Sequence, residues 1–417
     1  MPYLLKGKDV RNFRLMLVLA VVYIDMLGIG LALPILPRFI QQLQHDDVVH
    51  ASYVYGLLSS AYSLAQFLFA PLFGALSDRY GRRPVILLAL GGSAVSYFLM
   101  AAAPGLALLT VSRLLAGMMG GSFTAASAYL ADITPPAKRA ETFGLIGAAF
   151  GFGFITGPAL GGLLGGIDLH LPFLAAGVLC SANLVFGYFA LPESLAPENR
   201  REFQLAHANP AGALRAITRY PSIATLLMVF VLASFANRAA EMIWVLYTTY
   251  RFHWSTAQIG ISLTLIGVIF VIGQGGFTRV LIPRIGERRA ILLGLGVSVL
   301  ICILYGAAEK GWQFYCVMPL VIFGWSVAQP ATQGLMSRAV PASEQGLLQG
   351  ALASITNLTS IAGPVIWTGL FGYWISPAAP FLLPGVTFYV AGAVFLLAAL
   401  VAVRWEFATE FGQPDVA

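Results

Sequence analysis

The segment Gly74-Ala-Leu-Ser-Asp-Arg-Tyr-Gly-Arg-Arg-Pro84 joins two long apolar stretches of the chain. Its glycines allow a tight turn and a close approach of the flanking helices. The carboxylate of Asp78 can accept hydrogen bonds from a helix N-terminus or pair with a nearby cation. Basic residues such as Arg82 and Arg83 hold a short loop on the cytoplasmic side of a bilayer. A positively charged turn alone would also explain this composition, so the flanking stretches decide the fold.

Those stretches belong to a chain of 417 residues that is 58% hydrophobic and 10% charged, with a mean hydropathy of +0.81. Soluble domains carry about 25% charged residues, whereas a bilayer accepts about 20 apolar residues per helical span. We therefore expect an all-α integral membrane protein. The three cysteines lie in apolar runs without the spacing of metal ligands, which indicates small buried hydrophobes.

Apolar runs bounded by charge, proline and glycine predict twelve transmembrane helices. They cover residues 15–37, 52–76, 84–103, 106–130, 142–165, 171–191, 222–249, 256–282, 290–308, 313–336, 346–370 and 379–403. We expect an N-terminal six-helix bundle (1–191), a cytoplasmic linker (192–221) and a C-terminal six-helix bundle (222–417). With the N-terminus inside the cell, 19 of the 24 basic residues lie on the cytoplasmic side. The positive-inside rule favours this orientation, which also places the C-terminus in the cytoplasm.

The two halves repeat each other. The string Gly81–Gly91 resembles Gly286–Gly296 at an offset of 205, and Gly157-Pro158 recurs as Gly363-Pro364 at an offset of 206. Glycine and proline recur at helix ends in any membrane protein, but that does not explain the shared offset. Parallel six-helix repeats place a substrate cavity near the bilayer midplane, between the halves.

The 74–84 segment is similar to the signature loop of the major facilitator superfamily, and Gly147–Gly162 resembles the antiporter motif of its drug exporters. The resemblance implies the major facilitator fold and a gating role for the first string. Its gate residues are Gly74, Asp78, Arg79, Gly81, Arg82 and Arg83, and we expect Asp132 to be their partner. The antiporter motif in helix 5 implies export rather than import. Its residues are Gly153, Gly157, Pro158 and Gly161. Small residues at this spacing also serve ordinary helix packing, which needs no antiport.

From about residue 20 to residue 370 the chain resembles the bacterial tetracycline/proton antiporters. The strings that carry this resemblance are 23–37, 244–247, 251–252, 345–350 and 354–357. It implies export of a tetracycline–divalent metal complex in exchange for protons. The family's helix 1 aspartate corresponds to Asp25, and its glutamines in helices 2 and 8 correspond to Gln66 and Gln274. Its helix 3 acid, helix 8 histidine and helix 9 aspartate fall on Ser96, Phe270 and Ser298. Three ionisable groups are thus absent, and the substrate stays open.

Ionisable residues inside spans are costly and indicate function. Asp25 lies near the middle of helix 1. Arg113 lies in helix 4, at a membrane depth from which its side chain can reach Asp25. Our hypothesis is that Asp25 carries the proton and that Arg113, which matches the helix 4 arginine of proton-coupled major facilitators, tunes its proton affinity. A static buried ion pair without coupling is the alternative.

Arg238 and Glu241 lie at i and i+3 on one face of helix 7. They form either a mutually neutralising pair or a relocated polar site, in which Arg238 contacts an anionic or zwitterionic substrate group or Glu241 is a second proton site. Binding cavities combine apolar walls with a few placed polar groups. Our substrate-binding candidates are therefore Tyr62, Gln66, Phe67, Phe123, Arg238, Trp244, Phe270, Gln274, Gln333 and Asn357.

The sequence contains no phosphate-binding loop, dinucleotide turn, metal cluster or nucleophile elbow. We therefore expect no enzyme, cofactor, metal or nucleic-acid partner, and a gradient as the energy source. The partners are a small amphipathic substrate, protons and the lipid bilayer. The expected protein is a monomer in the bacterial inner membrane that exports drugs by alternating access. An exporter of an endogenous metabolite or siderophore, and a non-transporting sensor on the same fold, are the alternatives.

Overall fold

The computed structural model describes residues 8–45, 47–135, 138–200, 221–341 and 344–411, which form helices and contain no strand. The helices of the first half are α1a (Lys8–Ala32), α1b (Leu36–Leu43), α2 (Val48–Tyr80), α3 (Arg82–Ala101), α4a (Leu106–Met119), α4b (Ser122–Ile133), α5 (Arg139–Ile167) and α6 (Leu171–Ala190). The helices of the second half are α7 (Pro221–Phe252), α8a (Thr256–Ile272), α8b (Thr278–Ile285), α9 (Glu287–Ala307), α10a (Gly311–Val317), α10b (Trp325–Arg338), α11 (Gln345–Trp374) and α12 (Val386–Phe411).

Each of the twelve predicted spans coincides with one of these helices or with a pair of helix halves. Within the described residues, 11 helical segments are long and apolar enough to cross a membrane. The remaining predicted span, α11, has 30 residues and is long enough, but Gln349, Asn357 and several hydroxyl residues lower its hydropathy. Two predicted starts differ from the observed ones by about two helical turns. The helix α1a begins at Lys8 rather than 15, and α12 begins at Val386 rather than 379 because Pro380 and Pro384 precede it.

The predicted 74–84 loop is mostly helical. The helix α2 continues to Tyr80, α3 begins at Arg82, and Gly81 alone joins them with a φ of 107°. Gly286 joins α8b to α9 in the same way, with a φ of 80°. Glycine adopts positive φ at little cost, so each one-residue junction requires it. The repeat in the sequence is therefore also a repeat of backbone conformation.

Several membrane helices are interrupted. The helix α4 breaks at Gly120-Gly121, because adjacent glycines are poor helix formers. Between α8a and α8b, residues Gly273–Phe277 form a π-helical turn, a feature that is frequent at functional sites. Between α10a and α10b lies a 3₁₀ turn, Met318–Ile322, which contains Pro319.

The chain divides into two compact units. The first comprises the described residues of Met1–Asp46, Ala61–Ala208 and Ser255–Thr264, and the second those of Asp47–Ser60, Asn209–Trp254 and Leu265–Ala417. In the first unit, α1a packs on α5 and α6, and α3 packs on α4a and α6. In the second unit, α12 packs on α7 and α9, and α11 packs on α7. The predicted linker stays a prediction, because residues 201–220 lie outside the described part of the chain.

Candidate functional site

Asp25 is a buried acid in the first unit. It lies in α1a and is 7% exposed. Its Oδ2 accepts a hydrogen bond of 2.6 Å from the hydroxyl of Ser122. Ser122 is the first residue of α4b, directly after the glycine break of that helix. The carboxylate therefore lies at the N-terminal end of a half-helix, where the helix dipole favours negative charge.

Arg113 lies in α4a and pairs with an aromatic ring. Its guanidinium lies 4.4 Å from the centroid of Tyr62 in α2. The Nε of Arg113 is buried and, within the described residues, has no hydrogen-bond partner. No ion pair of the described residues joins Arg113 to Asp25. A static ion pair, the alternative to proton coupling, is therefore not formed in this conformation, although electrostatic interactions link Tyr62 to both residues.

Gln66 lies one turn after Tyr62 in α2 and reaches the break in α4. A Cβ on Gly120 would lie 2.7 Å from the amide nitrogen of Gln66. Both Gln66 and Phe67 are half-buried. Phe123 follows Ser122 in α4b, but its side chain lies outside the described part of the chain.

The small-residue string of α5 lies against the helix that carries Asp25. A Cβ on Gly157 would lie 2.6 Å from the Cα of Gly30 in α1a. A Cβ on Gly161 would lie 2.3 Å from the carbonyl oxygen of Leu31. A Cβ on Gly153 would also contact α1a. Pro158 lies inside α5 and does not interrupt this helix. The string therefore sets a backbone-to-backbone contact between α1a and α5.

The 74–84 segment forms a network of ions centred on Arg82. Its Nη1 donates to the carboxylate of Asp78 at 2.5 Å and to the hydroxyl of Ser77 at 3.0 Å. Its Nε donates to Asp132 at the end of α4b, at 3.1 Å. Arg83 donates to the carbonyl oxygen of Tyr188 in α6 at 2.6 Å. Arg79 is exposed, and a Cβ on Gly74 would meet nothing within 4 Å.

A third acid, Glu193, completes this network. Its carboxylate accepts the backbone N–H groups of Arg82 at 2.9 Å and Arg83 at 3.3 Å. It also accepts the N–H groups of Ser194 and Leu195 at 2.9 and 3.0 Å. Free N–H groups at a helix start need acceptors, so Glu193 caps α3 from 111 residues away in the chain.

In the second unit, Arg238 and Glu241 are paired along α7, and Asn237 donates to the other carboxylate oxygen of Glu241 at 3.0 Å. The side chain of Glu241 is 44% exposed. A Cβ on Gly363 of α11 would lie 3.1 Å from the Cβ of Arg238, so the two helices approach closely here. Both oxygens of the carboxylate are thus engaged on an accessible face of α7.

Trp244 lies in the core of the second unit. It is 4% exposed and lies 4.8 Å from Phe314 and 5.5 Å from Tyr305, measured between ring centroids. It has a packing role in this conformation, and its contact with substrate stays a prediction. Gln274, in the π-helical turn, donates to Gln329 of α10b at 3.4 Å. The other candidates of this unit are Phe270 and Asn357, which are exposed, and Gln333, which is half-buried.

Comparison with known proteins decides the family. The family model described as Major Facilitator Superfamily matches residues 15–364. The chain belongs to the major facilitator superfamily. Within it, the chain is 40% identical to the class C tetracycline resistance protein of Escherichia coli, over 95% of this chain and 99% of that protein. It is 37% identical to the class G protein of Vibrio anguillarum, over 94% and 97% of the two chains.

A solved structure agrees with this assignment. The crystal structure of the human organic anion transporter MFSD10 (TETRAN) matches with a TM-score of 0.68 and 26% identity, over 95% of this chain and all of that one. This major facilitator is therefore a multi-pass membrane transport protein and not an enzyme. Among its described residues, no three His, Cys, Asp or Glu side chains are grouped as metal ligands.

Ser96 and Ser298, two of the positions where the tetracycline antiporters are expected to carry a charge, are buried in this major facilitator. Their hydroxyls donate to carbonyl oxygens of their own helices, of Ser93 at 2.7 Å and of Gly294 at 2.8 Å. Both groups are satisfied locally, so neither replaces the missing ionisable group.

Two residues of this facilitator were missed by the sequence analysis. Ser122 directly follows the glycine pair at 120–121. A glycine pair inside an apolar span indicates a helix break, and this feature could have pointed to Ser122. Glu193 was assigned only to the polar linker. The sequence around Glu193 gives no sign of its capping role, because the N–H groups that it accepts lie at the start of another helix, α3.

Proposed function

We propose that this major facilitator exports small amphipathic drugs of the tetracycline type from the bacterial cytoplasm in exchange for protons. Its relatives at 37–40% identity carry the name tetracycline resistance protein. The chain covers 97–99% of their lengths. We place it, as a monomer, in the inner membrane with both termini in the cytoplasm.

The observation that carries proton coupling is that Asp25 is buried and, among the described residues, forms no ion pair with a cation. A carboxylate locked in an ion pair would stay charged, because removing either charge strands the other. Asp25 is held instead by a neutral hydroxyl. An isolated ionised group in a span is costly, so this carboxyl can exchange a proton as its surroundings change. In alternating access, protons enter from outside on Asp25 and leave to the cytoplasm as the drug is expelled.

Substrate selection is assigned to polar groups of both units. In the first, Tyr62 and Gln66 border the break in α4 near Asp25 and Arg113. In the second, Arg238 and Glu241 present a paired cation and acid on α7. The Arg82 network around the 74–84 segment then serves as the gate.

A second candidate function is export of an anionic endogenous metabolite or siderophore. Arg238 favours it, since its side chain is 25% exposed and offers a cation to a carboxylate or phosphate. MFSD10, the structural relative, is an organic anion transporter. The loss of charge at Ser96, Phe270 and Ser298 also separates this chain from the resembled antiporters.

The experiment is a substrate panel in everted membrane vesicles with a pH-sensitive dye. Tetracycline with Mg²⁺, a lipophilic cation and an anionic siderophore are added to vesicles that hold a proton gradient. We expect tetracycline to dissipate the gradient in vesicles with the parent protein, and not with Asp25→Asn. The exposed acid Asp168 serves as the control, and Asp168→Asn should behave like the parent.

Full proton-dependent flux through Asp25→Asn would refute the role of Asp25. Dissipation by the siderophore alone would establish the second candidate instead. If no compound dissipates the gradient, a non-transporting role replaces the proposal.

A further inference from the structure

The break in α4 places a hydroxyl beside the buried acid of α1a. The sequence Gly120-Gly121-Ser122 ends one helical half and begins the next, and the carbonyl of Gly121 accepts the N–H of Ala125. Ser122 is 7% exposed, as is Asp25. The hydrogen bond between them spans 97 positions of the chain, so it depends on the packing of α4b against α1a.

We infer that Ser122 is a positioning residue for proton exchange, which holds the deprotonated carboxylate of Asp25 through its hydroxyl. This inference rests on the proposed role of Asp25. On protonation, a proton adds to a carboxylate oxygen of Asp25, and Ser122 keeps its own. Hydrogen bonds to an ionised acceptor are about twice as strong as those between neutral groups. The bond therefore stabilises the form of Asp25 that has released its proton.

Other groups that face Asp25 do not substitute for this bond. Electrostatic interactions link Asp25 to Tyr62 of α2, Tyr97 of α3 and Cys180 of α6. Phenols and thiols are neutral near pH 7. Among the described residues that interact electrostatically with Tyr62 and Tyr97, Arg113 is the cation, and its guanidinium lies on the ring of Tyr62. Helix α5 contributes glycines rather than ionisable groups where it contacts α1a.

The test compares four variants of the full-length protein. Ser122→Ala removes the hydroxyl, Ser122→Cys replaces it by a weak donor of similar size, and Ser122→Thr keeps it. The matched control is Ser112→Ala in α4a, which removes another buried hydroxyl, one that donates to the carbonyl of Leu109 at 2.7 Å. The readout is the infrared band of the protonated carboxyl in purified protein, followed against pH and assigned by its loss in Asp25→Asn.

Removing a bond to the charged form lets the protonated form persist to higher pH. We expect the midpoint of the pH profile to rise by about one to two pH units in Ser122→Ala. Ser122→Cys should shift in the same direction, while Ser122→Thr and Ser112→Ala should match the parent. Ser122→Cys also keeps the test valid if Ser122→Ala does not fold.

Equal midpoints in the parent, Ser122→Ala and Ser122→Cys would overturn the inference. An equal shift of the midpoint in Ser112→Ala would also overturn it, because the loss of any buried hydroxyl would then be enough to shift the midpoint. Neither result touches the proposed function, which is tested separately by the substrate panel and by the proton-coupled flux of Asp25→Asn.

Discussion

Glu287, the first residue of α9, pairs with Arg338, the last residue of α10b, at positions where the first half of the chain has the opposite charges. In that half, Arg82 begins α3 and pairs with Asp132 near the end of α4b. The offsets are 205 and 206 residues, the same as in the sequence repeat. In both pairs the residue that begins the helix is the more buried one, with 11% of Arg82 and 16% of Glu287 exposed. The repeat has kept an ion pair between equivalent helices and reversed its polarity.

This relationship predicts the outcome of charge reversal. Either Glu287→Arg or Arg338→Glu alone should lower the initial rate of drug-driven proton flux by about two- to five-fold, because like charges then oppose. The double reversal should restore most of the rate in the vesicle assay. The corresponding double reversal of Arg82 and Asp132 should not restore the rate, since Arg82 also donates to Asp78 and Ser77. Equal rescue in both halves would contradict this account.

Glu193 should stabilise the start of α3. Replacing it by alanine leaves the N–H groups of Arg82 and Arg83 without their acceptor. We expect a loss of about 1 kcal/mol in stability, as for other helix caps. The measurement is thermal unfolding of the purified protein in detergent. Glu198→Ala, at an exposed acid in the same segment, is the control and should change little. A similar loss in both variants would argue against capping.

Gly157 should be intolerant of any side chain. Its Cβ in Gly157→Ala would lie 2.6 Å from the backbone of Gly30, which cannot move as a side chain can. We expect a destabilisation of about 1–3 kcal/mol and loss of transport. Gly147→Ala is the matched control in the same helix, because its Cβ would meet nothing within 4 Å. Folded protein, measured by size-exclusion chromatography, should fall only in the first variant. Normal yield and flux of Gly157→Ala would disprove the tight contact.

Arg238 should select substrates by charge. We expect Arg238→Gln to raise the apparent KM for an anionic substrate by about tenfold, since one hydrogen bond from a cation is lost. Transport of a lipophilic cation should not be slowed. The control is Arg251→Gln, at an arginine of the same helix that donates to the carbonyl of Ala308 at 3.5 Å. Unchanged transport of every compound would refute a substrate role and leave Arg238 as the partner of Glu241.

The helices were predictable because bilayer burial leaves a strong signal. Each span must be apolar for about 20 residues, and charge or proline marks its ends. The errors arose where ends are set by backbone geometry. A single residue, Gly81, suffices to join α2 to α3, whereas the sequence indicated a longer loop. At α12, Pro380 and Pro384 delay the helix start to Val386, which lies within the apolar run predicted from residue 379.

The candidate site was predictable only in part. Charges such as Asp25, Arg113 and Glu241 are conspicuous inside spans because they are costly there. Ser122 carries no such signal, since serine is common in membrane helices and usually bonds to its own backbone, as Ser112 does. Trp244 shows a second difficulty, because an aromatic residue in an apolar span gives the same sequence signal whether it lines a cavity or packs in a core, where Trp244 lies in this conformation.

The sequence by itself determined the membrane-spanning helices, the repeat and the superfamily, because hydrophobicity, spacing and motifs are properties of the chain order. Only the tertiary structure decided the partners: Ser122 for Asp25, Tyr62 for Arg113 and Glu193 for the start of α3. Those contacts join residues far apart in the chain. Hydrogen bonds and ring contacts act over a few ångströms, so their partners depend on how the helices pack.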